Sequence, residues 1–264
     1  MRVIVTRPAP QAGKWVKALR DAGHDALALP LIDIGPPADA KPVLQAWLRA
    51  QHMNALMFVS ANAVQHFFAL RPKDVAIEPC FSDVRFWATG PGTRAALLSA
   101  GVAPLQIDAP QAQAGQFDSE ALWQVCHGQV APGGHFLIVR GTSQGAEEAD
   151  PDKGLGRNWL AERIVEAGAA VDFVVAYERR TPVWGANTLA LSQVVAADGS
   201  VWLFSSSEAI TNLRALVPGL SWASARALTT HPRIAQAARD IGFGAVYESR
   251  PGLPEIIASI ESLA

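Results

Sequence analysis

Three kinds of side chain in this sequence could grip or protonate an anionic organic molecule, and they recur where an apolar run gives way to a helix. Ser60 follows Met57-Phe58-Val59, and Ser206 and Ser207 follow Leu203-Phe204-Ser205. A serine at such a junction turns its hydroxyl the same way as the free amides of the helix it opens, and that end of a helix attracts anions. The same residue also serves as a plain N-cap, a role that needs Ser or Thr with or without a ligand. Thr93, in Gly90-Pro91-Gly92-Thr93, stands in the same kind of place. The Gly-x-Gly there lacks the third glycine and the acid of a dinucleotide loop. Arg7 and Arg140 close the apolar runs ending Val5-Thr6 and Ile138-Val139, and Arg157 opens a later helix. A guanidinium pairs with a carboxylate through two parallel bonds, although most arginines are simply solvated surface. Tyr177 ends the run 171–176. A phenol with a pKa of about 10 is protonated at neutral pH and can donate; packing with a satisfied hydroxyl is its plainer role.

The elements that must position these residues come in two copies. The run 57–64 returns at 203–210, Ala88-Thr89-Gly90-Pro91 with Gly101 returns as Thr229-Thr230-His231-Pro232 with Gly242, and Val5-Thr6-Arg7 with Gly23 returns as Ile138-Val139-Arg140 with Gly168. The copies lie between 133 residues apart (Arg7 to Arg140) and 146 apart (Phe58 to Phe204). Such a period is far too long for a solenoid and indicates two domains of one design, which would form a ligand cleft between them. Strands are expected at 3–6, 26–31, 56–59, 85–88, 135–139, 171–176, 201–204, 225–229 and 245–248. Most are continuously apolar, as strands of a parallel sheet covered on both faces are. Between them lie amphipathic helices such as 11–22, with Trp15, Leu19 and Ala22 on one stripe, and Gly23, Gly101, Gly168 and Gly242 end helices where a left-handed residue is wanted. The alternation makes open, doubly wound α/β sheets the expected architecture.

Repeat logic would cut the chain once, near residue 130. Two irregular stretches, 35–42 and 177–182, argue instead for a first lobe built from both chain ends with a second lobe inserted between. A third, 141–156, rich in Gly, Glu and Asp, reads as a mobile insertion at a domain mouth. The 264 residues suit two domains, with half of them hydrophobic and 17% charged. The net charge of −2 gives no pull toward nucleic acid or anionic membrane. Neither a signal peptide nor a membrane span is expected. Cys80 and Cys126 have no metal or redox spacing and read as free thiols. These features predict a soluble, cytoplasmic protein.

The order Thr6-Arg7-Pro8, Phe58-Val59-Ser60-Ala61-Asn62-Ala63-Val64, Gly90-x-x-Thr93 and Leu137-Ile138-Val139-Arg140-Gly141 resembles the uroporphyrinogen-III synthase family. So do Glu166-Ala167-Gly168, Tyr177-Glu178-Arg179 with Thr181-Pro182, and Phe204-Ser205-Ser206-Ser207. The resemblance implies two flavodoxin-like lobes joined by a two-stranded connection. Domain 1 would comprise 1–34 and 181–264, domain 2 would comprise 40–172, and 35–39 with 173–180 would connect them. It implies cyclisation of hydroxymethylbilane, a linear tetrapyrrole with eight carboxylates, with inversion of ring D and loss of water. No metal or organic cofactor and no macromolecular partner is implied, and a monomer is expected.

Catalysis of that kind works chiefly by positioning and by donors aimed at charge, with one proton donor for the leaving hydroxyl. The resemblance assigns that donor to Tyr177, with its ring entering the cleft. It assigns substrate contacts to Arg7, Ser60, Thr93, Arg140, Gly141, Ser206 and Ser207. The sequence departs from the family pattern in His231-Pro232-Arg233-Ile234, where Gly-Pro and small hydroxyl residues are usual, and in the acidic run Glu147-Glu148-Ala149-Asp150-Pro151-Asp152. The competing class is a two-lobed cytosolic module that closes on a small anion without turnover.

Overall fold

The computed structural model describes residues 1–76, 81–111, 119–143 and 155–263, the side chains of 155–158 apart. The acidic run, most of the expected insertion and Cys80 therefore lie outside the described residues. The chain opens with β1 (Arg2–Val5), α1 (Ala9–Asp21), β2 (Asp25–Ala28), β3 (Asp33–Gly35), α2 (Lys41–Ala50), β4 (Ala55–Phe58) and α3 (Ala61–Ala69). It continues through β5 (Arg85–Ala88), α4 (Pro91–Ser99), β6 (Ile107–Asp108), α5 (Ser119–Cys126), β7 (His135–Ser143), α6 (Leu155–Glu166) and β8 (Ala170–Arg180). It closes with α7 (Ala186–Ala197), β9 (Val201–Phe204), α8 (Ser207–Leu216), β10 (Arg226–Thr229), α9 (Pro232–Asp240), β11 (Ala245–Glu248) and α10 (Leu253–Glu261).

These elements form two compact units. One joins Met1–Asp33 to Arg180–Ala264, and the other is Ile34–Arg179. The terminal lobe carries a sheet of order β11-β10-β9-β1-β2, and the inserted lobe one of order β3-β8-β7-β4-β5-β6. Every strand pair with a resolved register is parallel. The terminal lobe thus has the flavodoxin-like order. The duplication explains the second sheet: Val3 pairs with Val201 in one lobe, and their copies Phe136 and Ala55 pair in the other. Strands β2-β1-β9-β10-β11 map in that spatial order onto β8-β7-β4-β5-β6. Each lobe therefore combines the front half of one sequence copy with the back half of the other, so a cut near residue 130 would divide both sheets.

Strands buried on both faces hold each sheet. Val3, Val5, Val201 and Leu203 pack with Ala12, Val16 and Leu19 of α1 and Ile256 and Ile260 of α10. In the inserted lobe, Leu56, Phe58, Leu137 and Val139 face Trp47, Val64 and Phe67, while Met57, Phe136 and Ile138 face Leu122, Leu160 and Ile164 on the other side. Each fully buried side chain of this size stabilises by about 1.5–3 kcal/mol. The stripe of α1 is Ala12, Val16 and Leu19, a correction to the expected Trp15, Leu19 and Ala22; Trp15 sits at the margin and is taken up by Arg7. The four helix-ending glycines all have the left-handed conformation, with φ between 83° and 95°. Cys126 is buried, and desolvation, reinforced by the nearby Asp108 charge, pushes its thiol up to about 12, which makes it inert.

Two further corrections concern the sheet edge of the inserted lobe. The strands β3 and β6 were not expected, being only three and two residues long. Residues 177–180 are not an irregular connection but the end of β8, because β7 also runs on, to Ser143, and pairs with them. The chain crosses between the units in β3 and at the end of β8, which are neighbours in the sheet.

Candidate functional site

In an open parallel sheet, ligands bind beyond the carboxyl ends of the strands, where the connections turn in opposite directions. That switch point falls between β1 and β9 in the terminal lobe and between β7 and β4 in the inserted lobe. The residues picked from sequence stand at these two edges, lobe by lobe.

In the inserted lobe, Ser60 caps α3, its Oγ accepting the Ala63 amide at 3.2 Å. Its Oγ also lies 3.2 Å from the Tyr177 hydroxyl. Tyr177 does not end its strand and its ring is not free: only 3% of it is exposed. The cause is a bulge in β8. Arg140 pairs with Val175 but Gly141 pairs with Tyr177, which leaves Ala176 as the extra residue. A bulge re-aims the side chains after it, so Tyr177 joins Val174 and Ala176 on the face packed against α3. Gly141 makes room, since a Cβ there would lie only 2.2 Å from Tyr177 Cζ and 2.4 and 2.6 Å from Cε2 and Cε1. Gly141 thus forms the floor under the tyrosine ring.

The expected site omitted His66, whose ring stacks on Tyr177 at 5.8 Å between centroids and 27° between planes. Its sequence signal is slight: a polar residue three after Ala63, beside the buried stripe of α3. Burial lowers the His66 pKa below its ordinary value. The unfolded chain then binds a proton more readily than the folded one. The associated stability is complete above about pH 6.5 and is lost as pH falls below that toward the folded value. Thermal melts of His66→Phe are expected to vary less over that acidic range than those of the parent chain.

Thr93 is buried in the first turn of α4, its hydroxyl 3.3 Å from that of Thr89, another residue the sequence reading passed over. The ends of α3 and α4 enclose a depression of about 340 Å³, lined by Val59, Ser60, Ala61, Thr89, Gly90 and Thr93 among others. Two helix N-termini and a serine hydroxyl therefore open on one hollow. Arg140 takes no part in it: being on the opposite face of β7, its guanidinium lies over Phe173 at 4.6 Å.

In the terminal lobe, Ser206 caps α8 by accepting the Glu208 amide at 3.2 Å, and Ser207 is the first residue of that helix. Thr6 is buried and donates to the Leu203 carbonyl at 2.7 Å, tying the ends of β1 and β9 together. Arg7 follows it with its guanidinium 4.2 Å from the centre of the Trp15 ring. Its Nη1 donates to Gln11 Oε1 at 3.5 Å, but its Nε is buried without a hydrogen-bond partner among the described residues, and desolvation lowers its pKa, although an arginine stays charged. Such an unmatched buried donor is what an arriving carboxylate would satisfy. The two arginines thus occupy matching sequence positions but different settings. On α9, His231 caps with Nδ1 accepting from the Arg233 amide at 3.1 Å, and Ile234 is buried where the other lobe has Thr93. That wall is closed with hydrocarbon. No group of three His, Cys, Asp or Glu fit to hold a metal ion occurs among the described residues.

Comparison with known proteins agrees with this frame. A uroporphyrinogen-III synthase of Escherichia coli is 27% identical over 250 residues, 92% of each chain. Those of Synechococcus elongatus and Salmonella typhimurium are 27% and 31% identical over 180 residues, 68% of this chain. These two matches span 61% and 65% of the relatives' own length. The solved uroporphyrinogen-III synthetase of Helicobacter pylori superposes with a TM-score of 0.60 at 16% identity over all of both chains. A mutant uroporphyrinogen III synthase of Thermus thermophilus gives 0.54 at 13%, over 99% of this chain and 98% of its own. At such identities the superpositions establish the shared fold. The family model described as Uroporphyrinogen-III synthase HemD matches residues 13–258, nearly the whole sequence, and the chain belongs to that family.

Proposed function

We propose that the protein cyclises hydroxymethylbilane to uroporphyrinogen III, inverting ring D and releasing water. The observation that carries this reading is the doubled switch point of a family member. In both lobes a serine-capped helix N-terminus stands at the carboxyl edge of the sheet, and one lobe adds the buried Arg7 Nε, which has no hydrogen-bond partner among the described residues. An octacarboxylate calls for many such donors and for little covalent chemistry. Loss of the substrate hydroxyl leaves a cation spread over an electron-rich pyrrole, and unaided closure would give the symmetric type I isomer. The enzyme's task is to hold the chain so that ring D is attacked at its substituted carbon, through a spiro intermediate. In this reading Arg7, Ser60, Thr93, Ser206 and Ser207 steady carboxylates or nearby charge, and Tyr177 supplies the proton for the leaving hydroxyl. Arg140, stacked on Phe173, would have to leave that ring to join them. The reading extends to a monomer working in the cytoplasm; no described helix is long and apolar enough to cross a membrane.

Arg7→Lys separates substrate binding from chemistry. A lysine cannot present the planar fork or stack on Trp15 in the same way. Loss of a charge-assisted hydrogen bond of about 1.5–3 kcal/mol is expected to raise KM about 10- to 100-fold with little change in kcat. Steady-state kinetics checks it. For the function itself, hydroxymethylbilane should disappear faster with the protein than in buffer. A binding module would leave that rate unchanged while raising its own melting temperature.

A further inference from the structure

We propose that Ser60 is the group that hands a proton to the departing hydroxyl, and that Tyr177 stands behind it as the donor that refills it. The inference rests on the cyclase reading above and assigns the proton path within it. Tyr177 is 3% exposed and is not among the residues lining the depression between α3 and α4, whereas Ser60 lines it. A leaving group in that depression can meet the serine hydroxyl and not the phenol.

The hydrogen bonds give the path a direction. The Ala63 amide can only donate, so it occupies one lone pair of Ser60 Oγ. Between Ser60 and Tyr177 either hydroxyl could be the donor. If Ser60 donated, the phenolic proton would be left without an acceptor among the described residues, at a buried site. An unmet buried donor costs about 1–3 kcal/mol. If Tyr177 donates, Ser60 accepts twice and its own proton is free to point into the depression. The second arrangement leaves the buried phenol matched and the Ser60 hydroxyl as a donor facing the depression.

The proton balance closes. As the carbon–oxygen bond breaks, its electron pair leaves with oxygen, which takes the Ser60 proton and departs as water. The Tyr177 proton moves to Ser60 Oγ. The resulting phenolate is matched by the cation on the pyrrole, and the N-terminus of α3 at Ser60 favours the negative charge. After ring closure, the ring carbon that regains aromaticity releases one proton, which returns through Ser60 to Tyr177. His66 and Gly141 enclose the tyrosine ring from outside this path and hold it in line with Ser60.

The test is a double-mutant cycle on kcat with Ser60→Ala, Tyr177→Phe and the pair, with type III product from the parent chain as the reference. A general acid contributes at least about 100-fold, so Ser60→Ala should lose about that much. The pair should be no more than about threefold slower than Ser60→Ala alone, because the tyrosine acts through the serine. Ser60→Ala also removes an N-cap, so Ser60→Thr, which keeps cap and hydroxyl, should retain kcat within a few-fold. In mixtures of light and heavy water, the parent rate should curve as two protons move together, and that of Tyr177→Phe should not. Losses that multiply in the pair, a Ser60→Ala enzyme as fast as the parent, or a linear parent response would each overturn the relay while leaving the cyclase reading intact. A parent chain that makes no type III product would overturn both.

Discussion

Tyr177→Phe is expected to lower turnover at least tenfold with the fold and the melting curve close to those of the parent chain. The substitution removes one oxygen and leaves the ring that packs between Gly141 and His66. Among the described residues that oxygen makes a single hydrogen bond, to Ser60 Oγ at 3.2 Å. Losing it costs stability on the order of 1 kcal/mol. For the reaction it removes the reservoir that refills Ser60, and proton donation in a transition state contributes roughly 100-fold or more. The effect should therefore fall on kcat, with KM little changed, since the phenol is hidden from the substrate's carboxylates. Turnover equal to that of the parent would make Tyr177 a packing residue. A collapse of stability would show instead that the hydroxyl holds the lobe together.

Gly141→Ala is expected to destabilise the inserted lobe by about 1–3 kcal/mol, the usual cost of forcing a methyl group into filled space. It should lower turnover more than Tyr177→Phe does. The new Cβ would lie 2.2 Å from Tyr177 Cζ, well inside van der Waals contact, and backbone pairing between Gly141 and Tyr177 fixes both residues. The ring cannot swing aside without leaving Ser60, so the same methyl that strains the core breaks the proton path. The paired variant Gly141→Ala/Tyr177→Ala gives the ring's space back but leaves a cavity that one methyl fills only in part, so it should regain neither the parent's stability nor its activity. Chemical denaturation and rate measurements on the three variants separate these outcomes. A Gly141→Ala protein as stable and as fast as the parent would mean that β7 and β8 can slide apart at the bulge.

Much of this architecture was legible in the residues. Continuous apolar runs such as Ala-Leu-Met-Phe and Val-Trp-Leu-Phe announce strands covered on both faces, and all four residues are buried in each. Gly23, Gly101, Gly168 and Gly242 marked helix ends because only a residue without a Cβ adopts that backbone cheaply. Ser60 and Ser206 were legible as caps, because a helix start after an apolar strand needs an acceptor for its free amides. The setting of Tyr177 was not. Its position depends on one extra residue in β8, and a bulge shifts every later side chain to the other face without any local mark in sequence. The same reason hid the role of Gly141, which is defined by a ring 36 positions away in sequence. Arg7 and Arg140 look equivalent as letters. Their difference comes from what lies alongside, Trp15 on the following helix for one and Phe173 on the neighbouring strand for the other. Short β3 and β6 escaped because two or three residues carry no periodicity.

The most direct measurement is the isomer made from freshly generated hydroxymethylbilane. Products with and without the purified protein would be oxidised, and the type I and type III porphyrins separated by chromatography. Mostly type III with the protein, against type I in its absence, is the expected result, because only a positioned substrate closes with ring D inverted. The same type I product in both, from a sample with an intact melting transition, would contradict the account and leave a folded module that binds without turning over.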